Sequence, residues 1–441
     1  MIIDSVSFIF RLLPFFLIFF TLFKGNYRKP LVLCTSLLIC SWGSFKSLLL
    51  LLVFILASWL FGQLIPKNKN YFYASLGFDV IFLCFFKFIG LNGALPLGIS
   101  YYVLSGMSYL IDLRRGDVDP NQSLYNTAFY LAFFPKLIMG PFVKYKDFET
   151  QIDNPIVDAK KVSDGLLRFS IGLAKKLAIA GSLAEMTAKC WEDAPFSGAS
   201  AWLGVISFAL QLYYDFSGYS DMAIGLAKVC GFKIRENFNY PMESASLKEF
   251  WSKWHISLGE WFKDYIYFPL GGNRRGELRT YINLLLVWLV TGFWHGNGLN
   301  YILWGLFIFI FASLEKKFTN FLGKVPKGIR IVFTNLIVLI GWAFFNSGSI
   351  PAAFNYIGYM FGGAAAAGDA ISSLYFTRFI DLLVLAILGV THLPKQCALD
   401  IFDEEKPWTV VFKCIFIIGL LGVSTASIII NGYTPFIYAG F

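Results

Sequence analysis

Apolar stretches alternate with short charged ones along the chain, and the apolar stretches have helical rather than strand length. Runs near 5–23, 30–43, 46–64, 71–90, 95–113, 163–189, 200–227, 280–294, 299–315, 330–346, 374–393 and 408–430 predict helices. Crossing a hydrocarbon layer roughly 30 Å thick takes about 20 helical residues, so the shorter runs are expected to tilt or to end midway. The pattern predicts an all-α polytopic membrane protein. Its first run, Val6 to Phe23, carries one charge, Arg11, and no small-residue cleavage site follows, so it reads as a retained spanning helix rather than a signal peptide.

Two segments do not fit simple spans. Asn126 to Phe142 is apolar but interrupted by Pro135, Lys136 and Gly140-Pro141. It reads as a re-entrant helical hairpin, which a membrane tolerates where protein or water covers the broken backbone. Leu247 to Phe268 repeats Phe250, Trp251, Trp254, Leu258, Trp261, Phe262 and Tyr265 at helical spacing against Lys248, Lys253, Glu260 and Lys263. That pattern predicts one amphipathic helix lying on or dipping into the cytoplasmic face. A third stretch, Ser347 to Ser373, has an Ala/Gly-rich middle and no basic residue, and reads as a lid or a disordered connector. With no internal repeat and no soluble domain, residues 1–441 form a single integral-membrane domain: N-terminal helices over 1–113, a core over 114–305, and C-terminal helices with an outer tail over 306–441.

Composition sharpens this. At 57% hydrophobic and 15% charged the chain is too apolar for a soluble protein, which typically runs near 45–50% and 25%. The formal charge of +9 could suggest nucleic acid, but the cations mark topology instead. With the N-terminus outside, the loops near 25, 67, 115, 228–279, 316–330 and 395–406 fall in the cytoplasm, and all contain Lys or Arg. The opposite loops, 91–96, 191–199, 347–373 and 431–441, contain none, and Lys46 is the discordant charge. Both termini are therefore expected on the extracytoplasmic side of the cytoplasmic membrane, with membrane lipids and no nucleic acid as partners. Seven cysteines fall mostly within apolar runs without metal or disulfide spacing, so no metal site is expected.

Against this background the histidines are the costly residues, because an ionisable ring at bilayer depth needs a reason to be there. Two of the three follow tryptophan: His255 in WHISL and His295 in FWHGN. His295 ends a spanning run and is bracketed by Gly292, Gly296 and Gly298, which suits a helix end at a cavity. His255 lies at the midpoint of the amphipathic segment. Two imidazoles approaching one cavity could divide the work of general base and of orienting or oxyanion-stabilising group. His392, at a helix end beside Pro394, reads as structural. The loop Gly271-Gly272-Asn273-Arg274-Arg275-Gly276 offers backbone amides and two guanidinium forks, making Arg274 and Arg275 candidate contacts for donor phosphates or plain topology determinants.

Four stretches carry a resemblance. FYLAFFPKLIMGPFVKYKDF (129–148), YYDFSGYSDMAIGLAKVCGF (213–232), the segment 236–276 that contains WHISL and GGNRRG, and TYINLLLVWLVTGFWHGNGLNYILWG (280–305) resemble the membrane-bound O-acyltransferase family. The likeness runs from about Leu97 to Gly305 and is strongest to the bacterial branch that acetylates alginate, peptidoglycan and other cell-surface polysaccharides. It implies a ring of about 11–13 tilted transmembrane and re-entrant helices around a central funnel. It also implies an O-acetyltransferase that binds no cofactor and uses acetyl-CoA, an acyl thioester, as co-substrate. By the same resemblance His295 is the catalytic residue and His255 its partner, and the acceptor is a polysaccharide or an extracytoplasmic partner transferase.

Some relatives end in an aromatic motif whose tyrosine is thought to accept the acyl group. This chain ends Phe436-Ile437-Tyr438-Ala439-Gly440-Phe441, a partial match that makes Tyr438 a candidate acyl relay. Asn346 stands where relatives commonly carry Arg. D-alanyl transfer to teichoic acids, which shares both histidines, and a non-enzymatic transporter or assembly subunit of polysaccharide export are the alternatives.

Overall fold

The computed structural model describes residues 2–89, 96–120, 122–153, 155–191, 197–296, 298–363, 369–394, 396, 408–432 and 437. Helices make up nearly all of its regular structure, and among the described residues strand pairing is confined to one isolated antiparallel bridge, Phe238 to Trp254. Among the described residues six helices are long and apolar enough to cross a membrane: Phe45–Leu64, Asn70–Phe88, Leu299–Lys317, Lys327–Asn346, Ser372–Gly389 and Trp408–Ile430. This is an all-α polytopic membrane protein. The chain falls into two compact units, Met1–Gly172 with Tyr219–Glu236, and Leu173–Gly218 with Asn237–Ala439.

The first unit contains α1 (Leu13–Leu22), α2 (Arg28–Gly43), α3 (Phe45–Leu64), α4 (Asn70–Cys84), α5 (Ile99–Arg115), α6 (Leu124–Ala132), α7 (Phe134–Leu137), α8 (Tyr145–Ile152) and most of α9 (Ala159–Ala174). Ser44 caps α3 by accepting from the Ser47 amide, and Phe54 of α3 packs on Phe82 of α4 and Tyr102 of α5. Gly106 makes that approach feasible, since a Cβ there would strike the Phe54 ring. The expected break in the Asn126–Phe142 segment is present. The helix stops at Phe133, restarts as α7 with Pro135 in its first turn, and residues 129–143 are buried, so protein covers the broken backbone. Lys136 is buried with its ammonium 3.9 Å from the centroid of the Tyr130 ring and hydrogen-bonded to Ser105 Oγ at 3.4 Å.

The second unit takes up the chain in a π-helical turn, Lys175–Ala180, that runs straight into α10 (Gly181–Trp191); the long α11 (Gly198–Val229) contributes its first two thirds. It continues with α12 (Leu247–Lys253), α13 (Ile256–Phe262), α14 (Glu277–His295), α15 (Leu299–Lys317), α16 (Thr319–Leu322), α17 (Lys327–Asn346), α18 (Ile350–Met360), α19 (Ala370–Gly389) and α20 (Trp408–Asn431). Two glycines set the tightest pairing: a Cβ at Gly292 of α14 would meet the Tyr301 carbonyl, and one at Gly305 of α15 would meet the Trp288 carbonyl.

Two sequence expectations change here. The stretch 347–373 is not a disordered connector over its described part: Ser349 caps α18, whose Tyr356 donates to the Ala201 carbonyl at 2.8 Å and stacks on Trp191. Second, Leu247 to Phe268 is not one helix. It breaks at Trp254-His255 into α12 and α13, and α13 passes into a π-helical turn at Lys263–Tyr267.

Candidate active site

The break is built by a short loop that folds back on itself. After α11 the chain runs through Asn237 and Phe238, turns at the 3-10 segment Pro241–Glu243, and enters α12. Ser246 caps that helix through the Glu249 amide, while Glu315 of α15 accepts from the amides of Leu247 at 2.6 Å and Lys248 at 3.2 Å. Phe238 then bridges to Trp254, with the Asn239 amide on the Lys253 carbonyl at 3.0 Å and the Ile256 amide on the Asn237 carbonyl at 2.9 Å. Those bonds pin the backbone on both sides of His255. Between them His255 adopts φ 46°, ψ 51°, the left-handed region that few residues other than glycine occupy.

Asn237 is the hub. Its Oδ1 accepts from the Ser257 amide at 3.3 Å and from Ser257 Oγ at 2.8 Å, and lies 3.1 Å from His255 Nδ1. A backbone N–H can only donate, so the Asn237 atom that faces it is the oxygen, and Nδ1 of His255 must carry the proton it shares. Neutral His255 is thereby fixed with Nε2 as its lone-pair nitrogen. Burial pushes this imidazole down to about 3, which keeps it neutral over the physiological range. His255 lies outside the six spanning helices.

His295 is the last residue of α14, where Gly296 ends the helix in extended backbone. Its ring is buried among Trp294, Trp304 and Phe345, with centroids 5.0, 5.3 and 5.1 Å away. Trp294 also faces His255, edge-on at 6.4 Å, and Phe216 of α11 closes the other side of the His255 ring at 4.5 Å. Both imidazoles therefore lie against one indole. Contacts along α14 bring this about: Trp251 of α12 packs on Trp288 at 5.1 Å, and six residues further along α14 Trp294 meets His255, so the segment that carries His255 lies beside the helix that ends at His295. Asn283 of α14 donates to the Gly272 carbonyl at 2.9 Å.

The tryptophan stripe forms no outward belt. Trp251 and Trp254 pack with Trp304 and Trp342 into an aromatic wall beside the histidines, with ring centroids 5.2 to 6.1 Å apart. The indole N–H groups of Trp251 and Trp342 are buried and have no acceptor among the described residues.

Other candidates fall elsewhere. Arg274 and Arg275 are exposed at the far end of α14, and its 19 residues put them about 27 Å along the helix from His295. His392 is not without partners: its Nδ1 lies 2.7 Å from Glu243 Oε1 and its amide donates to the same oxygen, which fits the structural role expected of it. Tyr438 lies outside the described residues. Sequence reasoning missed Asn237 and Phe216, which stand 18 and 39 positions before His255 and meet it only through the fold.

A buried pair of imidazoles against one indole narrows the chemistry, and comparison with known proteins decides the family. The model of the MBOAT, membrane-bound O-acyltransferase family matches residues 118–326, which contain both histidines. A probable alginate O-acetylase of Pseudomonas putida is 33% identical over 100% of both chains. The chain belongs to the membrane-bound O-acyltransferase family. It is thus an O-acyltransferase. A peptidoglycan O-acetyltransferase of Helicobacter pylori is 32% identical over 70% of this acyltransferase and 65% of its own length. A teichoic acid D-alanyltransferase of Bacillus subtilis is 28% identical over 48% and 56%.

Proposed function

We propose that this acyltransferase moves an acetyl group from a cytoplasmic thioester, acetyl-CoA, across the cytoplasmic membrane to a hydroxyl of a cell-surface polysaccharide or of an extracytoplasmic partner transferase. The observation that carries the reading is the meeting of His255 and His295 on Trp294. His295 takes the proton of the incoming hydroxyl, whose oxygen attacks the thioester carbonyl carbon; a C–O bond forms, the C–S bond breaks, and the CoA thiolate leaves with the proton.

His255 plays the orienting part. With its proton held on Asn237, neutral His255 has no second proton for an oxyanion, and it leaves the single proton of the hydroxyl to His295 while its ring, packed on Trp294, shapes the place where the reactants meet. The buried indole N–H groups of Trp251 and Trp342 supply that donor function instead. Arg274 and Arg275 remain candidate phosphate contacts; a donor held there has to reach along α14 to the histidines. The acyl group then passes outward directly or through Tyr438, with both chain ends on the outer side. Sequence likeness to both alginate and peptidoglycan acetylases supports a polysaccharide acceptor. Transfer of a D-alanyl group is the second reading, supported by the shorter match to a teichoic acid D-alanyltransferase.

Purified protein in proteoliposomes, given acetyl-labelled acetyl-CoA and a polysaccharide acceptor, should place label in ester and release CoA. Label crossing the bilayer without ester formation would replace this reading with a transporter.

A further inference from the structure

A buried ion pair that the proposed histidine chemistry does not use is bonded to the backbone at Ile437. Lys176, in the π-helical turn Lys175–Ala180, and Asp215, in α11, form an ion pair whose side chains are 2% and 6% exposed. Asp215 Oδ1 accepts from the Lys176 ammonium, and its Oδ2 accepts from the backbone amide of Ile437 at 2.9 Å. One carboxylate thus joins an early element of this unit to the last described residue of the chain, 222 positions away. The π turn and α10 also pack against α20, the helix that leads into the tail.

A buried ion pair seldom justifies itself by stability, because desolvating both charges offsets most of their attraction. What this pair does supply is a buried carboxylate with one oxygen on the Lys176 ammonium and the other on a backbone N–H. We propose that Lys176 and Asp215 form a latch that holds the chain at Ile437 by its backbone, one position before the candidate relay Tyr438. The inference deepens the relay reading of Tyr438 and rests on it for its function, though not for its structure. Asp215 is here a positioning residue. A latch that grips backbone is indifferent to the side chain at 437 and depends on the N–H itself.

Hydrogen exchange of the tail tests this on the full-length protein in detergent. The wild type and Ile437→Ala should protect the Ile437 amide alike. Lys176→Met/Asp215→Leu, which replaces the pair by apolar side chains of similar size and so spares the fold, should speed exchange of the tail about tenfold or more while α10 and α14 stay protected. Unchanged tail protection in that double variant would overturn the latch. Tyr438→Phe separates the two readings: it should leave tail protection intact and lower ester formation. Full ester formation with Tyr438→Phe would remove the relay and leave the latch standing.

Discussion

The two imidazoles that meet on Trp294 stand in different surroundings. His255 sits between two short helices in left-handed backbone, and a polar hub, Asn237, fixes both its ring and its proton. His295 sits at the end of a regular helix, framed by three aromatic rings. A ring whose Nδ1 proton rests on an amide oxygen has its tautomer decided before substrate arrives, whereas an aromatic frame chiefly sets where a ring sits. The proposed division of work fits that difference: His255, with its proton already placed, orients, and His295 is the proposed base.

The strongest way to break this comparison is His295→Ala. General-base catalysis typically contributes 10²–10⁴-fold, so acetyl transfer should fall by about that range while membrane insertion is unchanged. A variant that keeps wild-type ester formation would end the assignment. Asn237→Ala comes next. It leaves the Ser257 amide, Ser257 Oγ and His255 Nδ1 without their shared acceptor, which should cost on the order of 2 kcal/mol and shift the thermal midpoint downward. Transfer should fall about 10–100-fold, chiefly in kcat, since a mis-set ring spoils orientation rather than binding.

Acid sharpens the contrast further. His255 titrates near 3 in the folded protein and near 6.5 when unfolded, so the unfolded chain binds the extra proton between those values. Its contribution to stability is present above about 6.5 and is lost as pH falls toward 3. Thermal melts from pH 7 to pH 5 should therefore show a slope that His255→Gln lacks; equal slopes would mean the imidazole is not held neutral.

How much of this was legible beforehand differs between the two histidines. The FWHGN context shows a helix that ends among glycines, and α14 ends at His295. WHISL reads as the middle of an amphipathic helix, because Phe250, Trp254, Trp261 and Tyr265 keep helical spacing straight through the break. Periodicity records which side chains are buried, and all four are buried here; it does not record that Asn237 pulls the backbone into a left-handed turn between them. The spans were legible for the same reason, since length and hydropathy are local. The tail latch was not, because nothing local links Asp215 to a residue 222 positions later.

The smallest effect isolates the backbone from the ring. His255 holds φ 46° at a cost of about 1–2 kcal/mol relative to a residue free of Cβ strain. His255→Ala and His255→Gly both delete the imidazole and should lose transfer equally. Only glycine relieves the strained turn, so the glycine variant should melt a few degrees higher than the alanine variant, by about 1 kcal/mol. Glycine also adds backbone freedom to the unfolded chain, which works against that gain and keeps the expected difference small. If alanine is the more stable of the two, the left-handed turn is not strained in the way its dihedrals indicate, and Asn237 then acts on the ring alone rather than on the bend that carries it.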